Sequence, residues 1–177
     1  MLFRSQVKSR IDSPAHAGEF FIDILQAMKV KDLMQHVRKV DLIPQELSFF
    51  EFKKIFSKTK QHYFPVMDQN HRLTGIFSST DIRGVLFSED IGHLVLMKDI
   101  CTSNIIVTSP AEDLNTVMQK FTIKNIDSLP VVRDDDHGIL IGMLNRREVI
   151  DFYNKQVHKI KGGTENSSES DEAFPHH

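Results

Sequence analysis

The chain repeats itself once, and any fold it adopts has to accommodate the repeat. Lys31-Asp32 recurs as Lys98-Asp99, Gly75 as Gly142 and Asp81 as Glu148, all at one common offset; only the step from Pro65 to Pro130 differs. Agreement across separate landmarks points to a duplication. Two copies suit a paired domain rather than a solenoid, which needs more copies to bury its core. The first copy reads Tyr63-Phe64-Pro65-Val66-Met67, a polar turn Asp68-Gln69-Asn70-His71, then Gly75-Ile76-Phe77-Ser78-Ser79-Thr80-Asp81 and Ile82-Arg83-Gly84-Val85-Leu86. The second reads Ser128-Leu129-Pro130-Val131-Val132, a polar turn Asp134-Asp135-Asp136-His137-Gly138, then Gly142-Met143-Leu144-Asn145-Arg146-Arg147-Glu148 and Val149-Ile150-Asp151. Each spells an apolar strand, a polar turn, a second strand ending after a glycine, and an amphipathic helix. The glycine admits a ligand or another backbone at close range.

Other elements follow from local pattern. Ser48-Phe49-Phe50-Glu51 has capping-box spacing, and Phe52, Ile55 and Phe56 continue at helical intervals, so a helix is predicted over 48–59. Its counterpart carries Leu114, Val117, Met118 and Phe121 on one stripe. These Phe and Met residues read as core. The leader Val7–Glu19 is polar and turn-prone, punctuated by Pro14 and Gly18, and Phe20–Leu25 is apolar enough to dock. Beyond Lys159, Gly162–Glu172 is nearly devoid of apolar residues and is expected to be disordered. The expected division is a linker over 1–27, a first unit over 28–90, a second over 91–158 and a disordered tail over 159–177.

Composition removes several function classes. A net charge of −2 and no basic stripe with interleaved aromatics argue against a nucleic-acid partner. A single cysteine, Cys101, excludes an internal disulfide framework and fits a reducing compartment. No apolar run approaches the ~20 residues of a membrane helix, so a soluble, cytosolic chain is expected. The nine histidines lack metal-ligand spacing. The triple aspartate lacks the pattern of a calcium loop and reads as a solvated hairpin tip. There is no nucleophile elbow, P-loop or dinucleotide fingerprint, and Cys101 has no local base, so catalysis has no support.

Binding does have support. The Asp81 carboxylate suits a vicinal diol such as ribose, since hydrogen bonds to a charged group contribute ~1.5–3 kcal/mol. Ser78 and Thr80 stand where phosphate or sugar oxygens could be held at the start of the following helix. The plainer alternative is that Asp81 and Thr80 only cap that helix.

Together these landmarks resemble a tandem pair of CBS domains, small βαββα modules, over roughly residues 29–155. Gly75-x-x-Ser78-x-x-Asp81 is similar to that family's adenosine-nucleotide motif. The resemblance implies an α/β (α+β) fold with two units about a pseudo-two-fold axis and two clefts between them. For the first cleft it implicates Ile76, Ser78, Thr80 and Asp81 with Thr102, Ile105 and Asp127. For the opposite cleft it implicates Tyr63, whose ring could stack on a base, with Asn145 and Glu148. There Asn145 replaces the family's Ser/Thr and Glu148 its Asp. Arg146 and Arg147 could neutralise phosphates. The implied ligand is ATP, ADP or AMP, with any metal left open.

The leader carries a second resemblance. Gln6–Arg10 followed by Asp12-Ser13-Pro14-Ala15-His16, then Gly18-Glu19-Phe20 and Asp23-Ile24-Leu25, is similar to the segment joining the membrane domain of ClC chloride channels and transporters to their cytosolic CBS pair. This implies a non-enzymatic regulatory module on the cytoplasmic face of a membrane, attached to a ClC-type pore and forming a homodimer. The alternatives are a nucleotide-free dimerisation module, or the CBS-pair sensor of an unrelated enzyme or metal transporter.

Overall fold

The computed structural model of the protein describes residues 14–86 and 94–165. Helix α1 (Pro14–Ala27) leads into a 3-10 segment (Val30–His36), strand β1 (Ile43–Pro44), helix α2 (Phe49–Phe56), strands β2 (Tyr63–Met67) and β3 (Leu73–Ser78), and helix α3 (Arg83–Leu86). The second unit repeats the plan with α4 (Met97–Ile100), α5 (Leu114–Lys124), β4 (Ser128–Val132), β5 (Leu140–Asn145) and α6 (Arg146–Glu165). In the second unit the place of β1 is taken by Thr108, which bridges Val131 in parallel as Ile43 pairs with Val66.

The two hairpins are built alike. Antiparallel β2–β3 sets Phe64 opposite Phe77 and Val66 opposite Gly75, with a register shift between Val66 and Met67. Antiparallel β4–β5 sets Leu129 opposite Leu144 and Val131 opposite Gly142, with its shift between Val131 and Val132. The predicted helix at 48–59 forms over Phe49–Phe56. Ser48 is its N-cap, and its side chain accepts from the Glu51 N–H while Glu51 reaches back to the Ser48 N–H. In α5, Leu114, Val117 and Phe121 are buried, as their spacing requires, and the Asp113 side chain caps it.

Each unit has its own core, and each core borrows from the other copy. Phe49, Phe52, Phe64 and Phe77 fill the first, with Phe64 and Phe77 stacked at 5.1 Å, and Met97 from the second copy's opening is buried among them. Leu114, Phe121, Leu129 and Leu144 fill the second, together with Val30 and Leu33 from the first copy's opening and Leu25 from α1. Backbone bonds follow the same exchange. Met97 donates to Leu47 O and Phe49 to Val95 O; Val30 donates to Glu112 O and Leu114 to Met28 O. The bridges Ser48–Leu96 and Lys29–Asp113 place each opening beside the N-cap of the other unit's helix. The opening segments have changed places, which is the pseudo-two-fold relation expressed in contacts.

The glycines make the exchange possible. A Cβ on Gly75 would stand 2.2 Å from Cys101 Sγ, and one on Gly142 would stand 2.5 Å from the Arg38 carbonyl oxygen. The group at close range is therefore the other copy's opening. Cys101 is a small half-buried residue there, and burial pushes its thiol pKa up.

The hairpin tips meet as well. Arg72 of the first donates from both Nη atoms to the Asp136 carboxylate of the second at 2.8 Å, and Leu73 donates to Gly138 O. Hydrogen bonds from Arg72 and the Gly138 N–H lower the Asp136 carboxyl to about 2.

Two expectations need correction. The leader is helical from Pro14, where a turn-prone linker docked by its apolar end was expected; the docking is present and the turn-prone conformation is not. Proline suits the first helical position, and the helix docks Leu25 into the second core and Phe21 edge-on to Tyr153 at 4.6 Å. The tail also stays helical through Glu165, because propagation adds one bond per residue fixed once a helix is established. The rest of both expectations, at residues 1–13 and 166–177, lies outside the described residues.

Candidate functional site

Both hairpins end on a strand-to-helix turn that carries an acid three residues beyond a polar residue. At the first, the Asp81 Oδ2 accepts from the Ser78 N–H at 2.7 Å and from its hydroxyl at 2.8 Å, and the Asp81 N–H returns to Ser78 Oγ at 3.3 Å. No donor among the described residues reaches Oδ1. At the second turn, the Glu148 Oε2 accepts from the Asn145 N–H at 3.0 Å, and Oε1 accepts from Arg38 Nε at 2.7 Å. The capping role weighed for Asp81 is thus present at both turns. Among the described residues it leaves Asp81 exposed with Oδ1 unengaged and Glu148 half-buried with both oxygens engaged.

These turns flank a cleft of about 890 Å³ between the units. The first unit supplies Lys60, Gln61, His62 and Tyr63 from the entry to β2, and Ser78, Ser79 and Thr80 from the end of β3. The second supplies Asp127 and Ser128 from the start of β4, Met143 and Asn145 from β5, and Arg146, Arg147 and Glu148 from the start of α6. Arg38 and Val40 close one side. Several local bonds hold these walls. The Gln61 amide donates to Tyr63 O and Asp41 O, the Ser79 N–H to His62 O, and the Arg146 N–H to Asp127 O.

Six of the expected site residues come together around this cleft: Ser78, Thr80 and Asp127 from one expected set, and Tyr63, Asn145 and Glu148 from the other. The sets were expected in opposite clefts. Because the units face each other through matching turns, both turns open onto one space. Ile76, Asp81, Thr102 and Ile105 are not among the lining residues. Ile76 and Thr102 face each other across a backbone ladder, with reciprocal N–H···O bonds of 3.0 and 2.9 Å. Sequence reading missed Arg38, Lys60, Gln61, His62 and Ser128. Arg38 was invisible locally, since its partner Glu148 lies 110 residues away; Gln61 and His62 had only their position before Tyr63 as a signal.

Chemically, the walls offer hydroxyls, the amides of Gln61 and Asn145, the half-buried ring of Tyr63, and cations on two sides. Arg38 is paired to Glu148 and Arg147 approaches Asp151 at 3.7 Å. Arg146 and Lys60 have no acidic partner among the described residues, which leaves two cations for an anionic group. No group of three or more metal-ligating side chains occurs among the described residues. No helix there is long and apolar enough to cross a membrane.

Exchanged openings, paired hairpins and a polar cleft between two half-similar units define a paired module built from two copies of one unit. The CBS domain family matches the chain twice, over residues 30–88 and 97–155, and the chain belongs to that family. An uncharacterised protein of Methanocaldococcus jannaschii is 25% identical over 158 residues, covering 71% of this chain and 91% of that one. The L-aspartate semialdehyde sulfurtransferase of the same organism is 28% identical over 103 residues, covering 58% of this chain and 19% of the enzyme. The chain therefore spans about a fifth of that enzyme's length. Among solved structures, a CBS domain pair in complex with 5′-methylthioadenosine and S-adenosyl-L-methionine superposes with a TM-score of 0.57 at 25% identity, covering 73% of this chain and 98% of that one.

Proposed function

We propose that the chain is a non-enzymatic regulatory module that binds an adenosine-containing ligand in the cleft between its two CBS units. The observation that carries this reading is that one cleft is walled by polar turns of both units. The ligands of the similar CBS pair, 5′-methylthioadenosine and S-adenosyl-L-methionine, support the adenosine class. Tyr63 would stack on the base, and the ribose would reach past Thr80 at the cleft edge to Asp81, which stands beside the cleft wall, where Oδ1 would accept from the hydroxyls. Ser78 and Thr80 would hold sugar or phosphate oxygens, with Arg146 and Lys60 meeting any phosphate. A ligand touching both units binds one relative arrangement better than another, so it shifts the population toward that arrangement.

The parent system follows in two forms. Similarity to a fifth of a metabolic enzyme and to a near-full-length small protein supports a sensor of an enzyme or a free-standing CBS pair. The narrower form, a cytosolic module of a ClC-type chloride channel or transporter, rests on the leader motif. The docking of α1 against the second unit would give a connector a mechanical grip in either form and does not favour one over the other.

Calorimetric titration with AMP, ADP, ATP and 5′-methylthioadenosine, repeated on Asp81→Ala, tests the reading. At least one should bind in the micromolar range. The variant should lose ~1.5–3 kcal/mol, or roughly ten- to a hundredfold in affinity. No binding by folded protein that still dimerises would replace the reading with a ligand-free dimerisation module.

A further inference from the structure

The duplication puts an acid at the same point of two matching turns, yet the two carboxylates are in different states. Among the described residues, Asp81 receives bonds on Oδ2 and none on Oδ1. Glu148 is engaged on both oxygens, and its side chain is 12% exposed. The difference traces to the exchanged openings. Thr102, which pairs with Ile76 beside the first turn, has no side-chain hydrogen bond to Asp81. Arg38 pairs with Met143 and brings a guanidinium to the second. Two backbone bonds to Met143, of 2.9 and 2.8 Å, fix the Arg38 main chain, so its side chain has only to fold over the turn to reach Glu148.

We propose that Arg38 is a built-in occupant of a second acid subsite: it holds the Glu148 carboxylate that a ligand diol would otherwise use, so the chain offers one acid subsite, at Asp81, and keeps the other closed. This rests on the reading of the cleft as an adenosine site. With Oε1 taken by Arg38 Nε and Oε2 by the Asn145 N–H, a diol could bond Glu148 only by breaking a bond the turn already makes, whereas Asp81 still offers Oδ1. The longer Glu148 side chain suits this use, since it accepts from the turn and still reaches Arg38.

The test counts adenosine bound per chain by equilibrium dialysis at saturating concentration. Adenosine carries the diol and base and has no phosphate for Arg38 to attract. Arg38→Gln should bind one more adenosine than the wild type, Arg38→Lys should match the wild type, and Arg38→Gln with Glu148→Gln should return to the wild-type count. Arg38→Met, which keeps the apolar stem, serves as a second unplugged variant should Arg38→Gln unfold. An equal count in wild type and both unplugged variants would overturn the proposal, as would a gain that survives in the double variant. Failure of the cleft reading shows separately, as a wild type that binds nothing; the difference between wild type and Arg38→Gln still decides the role of Arg38.

Discussion

Gly75 and Gly142 occupy matching positions of the two hairpins, each against the other copy's opening, and they differ in what they touch. A side chain at Gly75 would meet the Cys101 side chain, whereas one at Gly142 would meet the Arg38 backbone. Overpacking a close contact costs roughly 1–3 kcal/mol. Gly142→Ala should therefore destabilise by about that amount, because backbone cannot step aside. Gly75→Ala should be partly rescued by Cys101→Gly, which removes both Sγ and Cβ. Urea unfolding of the four variants reads this; equal, unrescued losses at both glycines would contradict it. The glycines were legible in the sequence as places of close approach. What approaches was not legible, because the neighbour comes from the other copy. The same holds for the acids: Asp81 and Glu148 stood out by position, but the partner that makes Glu148 different lies at the far end of the chain.

Among the elements, those with local signals were readable. The capping box at Ser48 and the apolar stripe of α5 each state their own helix, and the matched hairpins follow from strand, turn and glycine. Helix α1 has weaker local signals, since Pro14 and Gly18 read as punctuation and its order depends on docking. Leu25 is 1% exposed within the second core, and truncating a buried leucine to alanine costs ~2–5 kcal/mol. Leu25→Ala should lower the stability of the whole chain by an amount in that range if α1 is integral to the second core. A loss under about 0.5 kcal/mol, the size of an ordinary surface substitution, would make the helix an appendage. Circular dichroism during denaturant unfolding measures it.

At the scale of the whole molecule, the described residues hold the pair together through the exchanged openings, the glycine contacts and ion pairs between the copies, among them the Arg72–Asp136 clamp between hairpin tips. The duplication, and with it the family, was legible from landmarks alone. The exchange and the merging of both turns onto one cleft were not, because each depends on contacts between copies. The cleft is the product of that assembly, and the central claim is that a ligand is read there by both units at once. Backbone amide NMR of the protein titrated with AMP tests this most directly. Perturbations should concentrate at Ser78–Thr80 in the first unit and at Asp127–Ser128 and Asn145–Arg147 in the second. Perturbation confined to one unit, or centred on the groove lined by Asp41–Ile43 and Lys54–Thr59, would contradict the account.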